Sequence, residues 1–257
     1  MIERTIHYVW LGSKSLPEVS VGYIENWRRL HPTWEIRRWD ESNFDCENNE
    51  WIRAALANKN YALASDVIRS SVLLNYGGVY LDTDVEILKP LDELVDKNDF
   101  FIGYETSLWF GCAILGAKAH HPVMQEVCKR YEVPSTSDND NSNMLCVFNF
   151  SEVLTRLYGI NLDGKTRRIN DGIQLLQTDY FYPKNYISHQ GEITQNTIAI
   201  HQYNSVWFSL GKRVGIKVAR VARKIMGRHI FGLFERITRV NMLSRLKAEY
   251  RARSEKG

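Results

Sequence analysis

Two hydrophobic periods alternate along the first 210 residues of the chain. Short β-branched and aromatic runs predict strands over 5–10, 34–39, 79–81, 100–104 and 112–116, near 175 and over 197–201. Apolar residues at helical spacing predict helices over 20–30, 49–58, 61–76, 122–131 and 151–158. Ser20 is the expected N-cap of the first helix, and Gly77-Gly78 is the expected end of the third. Strands that alternate with helices in this way are typical of an α/β fold.

Composition excludes several classes of protein. The chain has 257 residues, 44% of them hydrophobic, which favours one sizeable folded domain over disorder. No apolar run reaches the ~18 residues that a membrane-spanning helix needs. The N-terminus shows no signal-peptide pattern, and the four cysteines lack metal-ligand spacing. We therefore expect a cytoplasmic protein with reduced thiols.

Charge divides the chain into two parts. Residues 1–211 contain 19 basic and 27 acidic residues, a net charge of −8. Residues 212–257 contain 14 basic and three acidic residues, a net charge of +11. The predicted organisation is thus a folded domain over 1–211 and a basic tail over 212–257, with a polar surface loop at 135–142 inside the domain.

A pair of carboxylates follows the short apolar strand at 79–81. Asp82 and Asp84 are two residues apart, so an extended backbone points both side chains the same way. Two such oxygen donors can hold Mg²⁺ or Mn²⁺ and leave positions for phosphate oxygens. Asp-x-Asp is common in surface turns, but a helix that ends in Gly-Gly, a buried strand and then Asp-x-Asp is a rarer combination.

Three ordered blocks of the chain resemble a known family. Residues 61–69 (YALASDVIR) with 74–84 (LNYGGVYLDTD) resemble the signature of DXD-containing glycosyltransferases of family 32. That family contains yeast initiating mannosyltransferases and many bacterial capsule and lipopolysaccharide enzymes, and its signature is similar to the catalytic domains of large clostridial glucosylating toxins. The opening 6–12 (IHYVWLG) and the segment 201–207 (HQYNSVW) resemble the first strand and a C-terminal element of the same proteins.

The resemblance implies a GT-A fold, a Rossmann-like domain that binds a nucleotide sugar through Mn²⁺ or Mg²⁺. It also implies retention of anomeric configuration. The implied donor-binding residues are Asp66 and Arg69 for the sugar hydroxyls, Asp82 for ribose and the metal shell, Val9 and Trp10 for the base, and Ser205 and Trp207 for the diphosphate. The implied metal ligands are Asp84, Asp82 and, as additional candidates, His201, Asn204 and Ser205.

Several of these residues have a plain structural alternative. Asp66 and Arg69 would also suit a surface ion pair within one helix, and Trp10 would suit the core. His201 is not matched by a metal-binding histidine in the related toxins. Asp171 and Glu105 are candidates near the acceptor, although no residue stands out as a general base.

The basic tail has a pattern of its own. Arg213, Lys217, Arg220, Lys224 and Arg228 follow helical spacing, beside an apolar stripe of Val214, Val218, Val221 and Ile225. Such a helix suits an anionic membrane surface, although the apolar stripe could instead pack on the domain. Nucleic-acid binding is disfavoured because no reader motif accompanies the charge.

The predicted function is a metal-dependent hexosyltransferase that uses a nucleotide sugar, with UDP-hexose favoured over GDP-mannose. Its expected acceptor is a lipid-linked saccharide. The tail and the lack of an N-terminal anchor suggest bacterial surface-polysaccharide synthesis at the cytoplasmic face of the inner membrane. The alternatives are a non-catalytic membrane-associated carbohydrate-binding protein and a nucleotide-sugar hydrolase.

Overall fold

The computed structural model describes residues 1–132, 145–185 and 191–204. Within them the strands are β1 (Thr5–Val9), β2 (Glu35–Trp39), β3 (Gly78–Leu81), β4 (Val85–Ile87), β5 (Phe100–Thr106), β6 (Trp109–Ala117), β7 (Arg167–Ile169), β8 (Ile173–Leu176) and β9 (Ala199–His201). The helices are α1 (Glu18–Leu30), α2 (Glu50–Ala57), α3 (Tyr61–Tyr76), α4 (Asp92–Lys97), α5 (Pro122–Lys129) and α6 (Leu145–Tyr158). The predicted loop at 135–142, the boundary at 211 and the basic tail lie outside the described residues.

Seven strands form one mixed sheet in the order β2-β1-β3-β6-β5-β8-β7. β1 pairs in parallel with β2 and β3, and β5 pairs in parallel with β8. β6 is antiparallel to both β3 and β5, and β7 is antiparallel to β8. The carboxyl ends of β1, β2, β3, β5 and β8 therefore meet at one edge of the sheet, which is where open α/β sheets bind ligands.

Helices cover both faces of this sheet. On one face, apolar residues of α2, α3, α5 and α6 form a continuous core with the sheet. On the other face, a second core unites the sheet with α1, α4 and the chain near 181–182. The structure therefore confirms the predicted α/β fold. The four cysteines carry no disulfide, as expected.

Helix α1 starts earlier than predicted. Pro17 is its N-cap and Glu18 its first residue, so the prediction that Ser20 is the N-cap is wrong. Pro17 supplies a start because proline tolerates the beginning of a helix, whereas Ser20 is completely buried inside the helix. The short elements β4, α4 and β7 were not predicted, because three to six residues are too few to show a period.

The segment from α3 to β3 has the predicted arrangement. The side chain of Asn60 caps the helix by accepting from the Leu63 N–H at 3.3 Å. Gly77 ends it at φ +65°, and Gly78 follows at φ +94°. A side chain at Gly78 would overlap the Thr5 carbonyl, so β3 can enter the sheet beside β1 only with glycine there.

A separate two-stranded ladder brings the end of the described chain to the residues that follow β3. β4 and β9 are antiparallel, and Val85 is paired with His201. This pairing places the segment 201–204 beside Asp84, although more than 110 residues separate them in the sequence.

Candidate active site

Helix α3 directs Asp66 and Arg69 into the interior beside β3. Both residues are buried, with 8% and 5% of their surface exposed. The Arg69 guanidinium lies 3.2 Å from Asp66 Oδ1 and 2.9 Å from Asp82 Oδ1. It also lies over the Tyr80 ring, 4.3 Å from the centroid. The pair is therefore not a surface ion pair, because Arg69 bridges the helix to the strand that carries Asp82.

The charges of this cluster depend on one another. Burial opposes ionisation of Arg69, but Asp82, Tyr80 and Asp66 raise its pKa above the usual value and keep it cationic. The pKa of Asp66 is raised to about 7. Burial is the main cause, Arg69 opposes the shift, and Asp82 adds to it. Arg69 is thus the positive charge that allows the carboxylates of Asp66 and Asp82 to lie close together.

Asp82 begins the turn between β3 and β4. Its Oδ1 accepts hydrogen bonds from Tyr80 Oη and Arg69 Nη2, both at 2.9 Å. Its N–H donates to the Ala113 carbonyl at 2.9 Å, and its carbonyl accepts from Val85 N–H at 3.0 Å. The first carboxylate of the motif therefore has a fixed orientation.

Asp84 is held by the segment that β9 delivers. Its Oδ1 lies 3.2 Å from His201 Nε2, and its Oδ2 accepts from the Asn204 N–H at 2.8 Å. Burial works against the charge of Asp84, but His201 and the Asn204 N–H outweigh it and lower the pKa of the carboxyl group. Burial likewise works against the charge of His201, but Asp84 raises the pKa of the imidazole. The two groups therefore stabilise each other as an ion pair.

Asp82, Asp84 and His201 together fit a divalent cation. One ligand atom from each lies within 4.8 Å of the others. His201 Nδ1 is buried and makes no hydrogen bond within the described part of the chain. Two carboxylates and one imidazole suit Mn²⁺ and related divalent ions. The predicted candidates Asp82, Asp84, His201 and Asn204 thus lie together, and their ligand role remains a prediction.

Val9 and Trp10 lie at the carboxyl end of β1, on the same sheet edge as Asp82. Both are buried, and Val9 packs in the core. Trp10 Nε1 donates to the Lys14 carbonyl at 2.7 Å. A contact with the base remains a prediction for both residues.

The other candidates are less well placed by the structure. Glu105 lies near the end of β5 and is partly buried. Ser205 and Trp207 lie outside the described residues, as does the side chain of Asp171.

The sequence interpretation missed Tyr80 as a partner in this site. Tyr80 joins Asp82, Arg69 and Ser65, whose Oγ lies 3.0 Å from the tyrosine hydroxyl. The signal was present, because Tyr80 and Asp82 are two residues apart and share one face of the strand.

Comparison with known proteins agrees with this site. Residues 17–101 match the family described as glycosyltransferase sugar-binding region containing DXD motif. The match includes Asp66, Arg69, Asp82 and Asp84. The matched region is less than half of the chain, and over it the chain is similar to the DXD-containing glycosyltransferases. The chain is a glycosyltransferase.

Relatives of this glycosyltransferase occur in distant organisms. It is 28% identical over 197 residues to the uncharacterized glycosyltransferase L373 of Acanthamoeba polyphaga mimivirus, covering 72% of this chain and 74% of that protein. It is 28% identical over 132 residues to inositol phosphoceramide mannosyltransferase 1 of Schizosaccharomyces pombe, covering 49% of this chain and 41% of that protein. Among solved structures, the PaToxG glycosyltransferase is 16% identical with a TM-score of 0.47, covering 60% of this chain and 68% of that one. The chain thus spans less than half of the fission-yeast relative.

Proposed function

We propose that this glycosyltransferase moves a hexose from a nucleotide sugar to a saccharide acceptor with retention of configuration, and that it needs a divalent cation. The observation that carries the proposal is the convergence of two groups of residues at the end of β3. Asp82, Asp84 and His201 form a possible cation-binding cluster, and Arg69 and Asp66 lie beside it. A nucleoside diphosphate sugar needs positive charge at its diphosphate and hydrogen-bonding partners for the hydroxyl groups of its sugar.

Asp82, Asp84 and His201 would hold the cation, with Asn204 as a further candidate. When bound, Mn²⁺ or Mg²⁺ supplies positive charge that stabilises the leaving diphosphate. The protein's part is to keep the two carboxylates ionised and oriented. Arg69 and Tyr80 do this for Asp82, and His201 and the Asn204 N–H do it for Asp84.

Arg69 and Asp66 are proposed to orient the donor sugar. The Arg69 guanidinium donates to the Cys112 carbonyl at 2.6 Å and contacts the carboxylates of Asp66 and Asp82. Because these contacts fix the orientation of the planar group, its other N–H groups point in a fixed direction. Asp66 offers carboxylate oxygens to sugar hydroxyls from a rigid helix. Binding the sugar in one orientation contributes to rate by positioning.

The donor is proposed to be a UDP-hexose, with Trp10 and Val9 near the base and Ser205 and Trp207 near the diphosphate. The support is the resemblance of segments 6–12 and 201–207 to the glucosylating toxins. The fission-yeast relatives are named mannosyltransferases, so GDP-mannose is the competing donor to be tested.

The acceptor is proposed to be lipid-linked, in bacterial surface-polysaccharide synthesis at the cytoplasmic face of the inner membrane. The support is the +11 charge of residues 212–257, which suits anionic lipid. The fission-yeast relatives are named for inositol phosphoceramide, which is consistent with a lipid acceptor. Within the described ranges, every helix is too short or too polar to cross a bilayer.

Donor binding is tested by calorimetry with Mn²⁺ and each of UDP-glucose, UDP-galactose, their N-acetyl forms and GDP-mannose. We expect one UDP-sugar to bind, and binding only of GDP-mannose would refute the UDP assignment. Product analysis with and without a saccharide acceptor separates transfer from hydrolysis and from binding without turnover. Removal of residues 212–257 should abolish flotation with anionic liposomes, and unchanged flotation would refute membrane attachment.

A further inference from the structure

Strand β6 contains a wide bulge beside the acidic site. Ile102 of β5 pairs with Leu115 of β6, but Tyr104 of β5 pairs with Phe110. One residue of β5 therefore faces the four residues 111–114 of β6. Bulges redirect backbone and side chains and are frequent next to active sites.

Two groups of the proposed site are attached to carbonyls of this bulge. Arg69 Nη1 donates to the Cys112 carbonyl at 2.6 Å. The Asp82 N–H donates to the Ala113 carbonyl at 2.9 Å. The conformation of the bulge therefore sets the position of the sugar-binding arginine and of the first carboxylate together.

Tyr182 fixes the conformation of the bulge. Its hydroxyl oxygen accepts from the N–H groups of Ala113 and Ile114, at 3.1 and 3.3 Å. Successive N–H groups of a regular strand point to opposite sides, so their convergence on one oxygen exists only in the bulged backbone. Gly111 leaves room for the tyrosine, because a Cβ there would overlap the Tyr182 ring.

The same tyrosine contacts the other half of the site. Its ring meets the His201 imidazole edge to face, with centroids 5.8 Å apart and planes at 88°. The preceding residue, Phe181, accepts the His201 N–H at its carbonyl, at 3.0 Å. Tyr182 is buried, with 4% of its surface exposed.

We propose that Tyr182 is a positioning residue of this glycosyltransferase. Its hydroxyl holds the β6 bulge that aligns Arg69 and Asp82, and its ring holds His201 against Asp84. The inference rests on the proposed function, because it takes these four residues as the groups that handle the nucleotide sugar and its cation. Tyr182 itself touches no reacting atom in this assignment.

Two substitutions separate the roles of the hydroxyl and the ring. Tyr182→Phe removes the acceptor of the Ala113 and Ile114 N–H groups and keeps the ring. Tyr182→Leu removes the ring as well. The matched control is Tyr104→Phe, which removes a buried tyrosine hydroxyl next to the bulge that does not accept from the Ala113 or Ile114 N–H groups.

The first measurement is amide hydrogen exchange of β6 in the full-length protein. In Tyr182→Phe, the amides of Ala113 and Ile114 should exchange at least about 10-fold faster, while that of Leu115 keeps its wild-type rate. The control should leave all three unchanged. Unchanged exchange at Ala113 and Ile114 would overturn the hydroxyl's role.

The second measurement is turnover of the donor per active site, with sites counted by calorimetric titration with UDP and Mn²⁺. Tyr182→Phe should lower kcat about 10-fold or more, because a small displacement of an orienting group is costly. Tyr182→Leu should also weaken binding of Mn²⁺ alone about 10-fold, and Tyr104→Phe should change neither value. A purely structural tyrosine would lower the number of active sites and leave both values per site unchanged, and that result would refute the proposal.

Failure of the proposed function has a different signature. A wild-type chain that binds no UDP with Mn²⁺ and turns over no donor would refute that function, and the positioning role with it. Should Tyr182→Phe not fold, Gly111→Ala supplies the test, because its methyl group displaces the ring and should speed exchange of the same two amides. Wild-type exchange in a folded Gly111→Ala variant would then overturn the inference.

Discussion

His7 makes the stability of this glycosyltransferase depend on pH in a calculable way. The residue lies on β1 and is almost completely buried. Its Nδ1 accepts from Trp39 Nε1 at 3.0 Å, so its Nε2 carries the proton and donates to the Gly77 carbonyl at 2.9 Å. The neutral ring thus satisfies both neighbours and holds the glycine turn between α3 and β3. A second proton would have to enter at Nδ1 and break the bond from Trp39.

Burial lowers the pKa of His7 from 6.5 to about 4, against the opposing effect of the Gly77 hydrogen bond. Between pH 6.5 and 4 the unfolded chain therefore binds more protons than the folded chain. The stabilisation is complete above pH 6.5 and is lost as pH falls towards 4. For these two pKa values, acidification from pH 7.5 to 5 costs about 2 kcal/mol of unfolding free energy through His7 alone.

The assay is urea unfolding at pH 7.5 and pH 5, for the wild-type chain and for His7→Gln. The variant will be less stable at pH 7.5, but it should lose about 2 kcal/mol less than wild type on acidification. His120→Asn is the control, because that histidine is exposed, and it should keep the wild-type loss. An equal loss in wild type and His7→Gln would refute the reasoning. His121, whose pKa burial also lowers to about 4, contributes to the loss in every variant and cancels in the comparison.

Four substitutions in the site have expected effects on activity or on stability. Asp84→Ala should abolish Mn²⁺-dependent transfer while the circular dichroism spectrum stays that of wild type; full activity would remove the residue from the site. Tyr80→Phe should lower kcat/KM about 10-fold or more, because the hydrogen bond to the Asp82 carboxylate is lost while the ring beneath the guanidinium stays; initial rates decide this. Arg69→Met should lower the unfolding free energy by about 3–5 kcal/mol, because the buried carboxylate of Asp66 and the partly buried carboxylate of Asp82 lose their cation. Adding Asp66→Asn should restore part of that loss in urea unfolding, and a fully additive double variant would show that the pair is not coupled.

The part of the site that is local in sequence could be predicted. Asp66 and Arg69 share a helix face because they are three residues apart, and the glycine pair marks the turn into β3. The strand then delivers Asp82 to the sheet edge. Each of these predictions uses only the hydrophobic spacing or the residue types within one short segment of the chain.

The part that depends on long-range pairing could not be derived in this way. His201 reaches Asp84 because β9 pairs with β4. The strand at 197–201 was predicted, but β4 has only three residues and displays no period, so its pairing with β9 could not be predicted. Resemblance alone suggested that histidine. The β6 bulge is likewise hidden, because the run from Trp109 to Ala117 is almost wholly apolar and gives no sign that four of its residues face one residue of β5. Tyr182 could therefore not be linked to the site before the fold was known.

The Asp84–His201 pair makes cation binding depend on the protonation state of His201. An imidazole that ligates a cation must be neutral, whereas the ion pair with Asp84 favours the protonated ring. Cation binding and protonation of His201 thus compete. A lower pH favours the protonated ring and therefore weakens cation binding. Asp84 raises the pKa of His201, so this effect begins at a higher pH than it would for an isolated histidine. The carboxylate of Asp84 would attract a cation, and the same carboxylate holds His201 in place beside it.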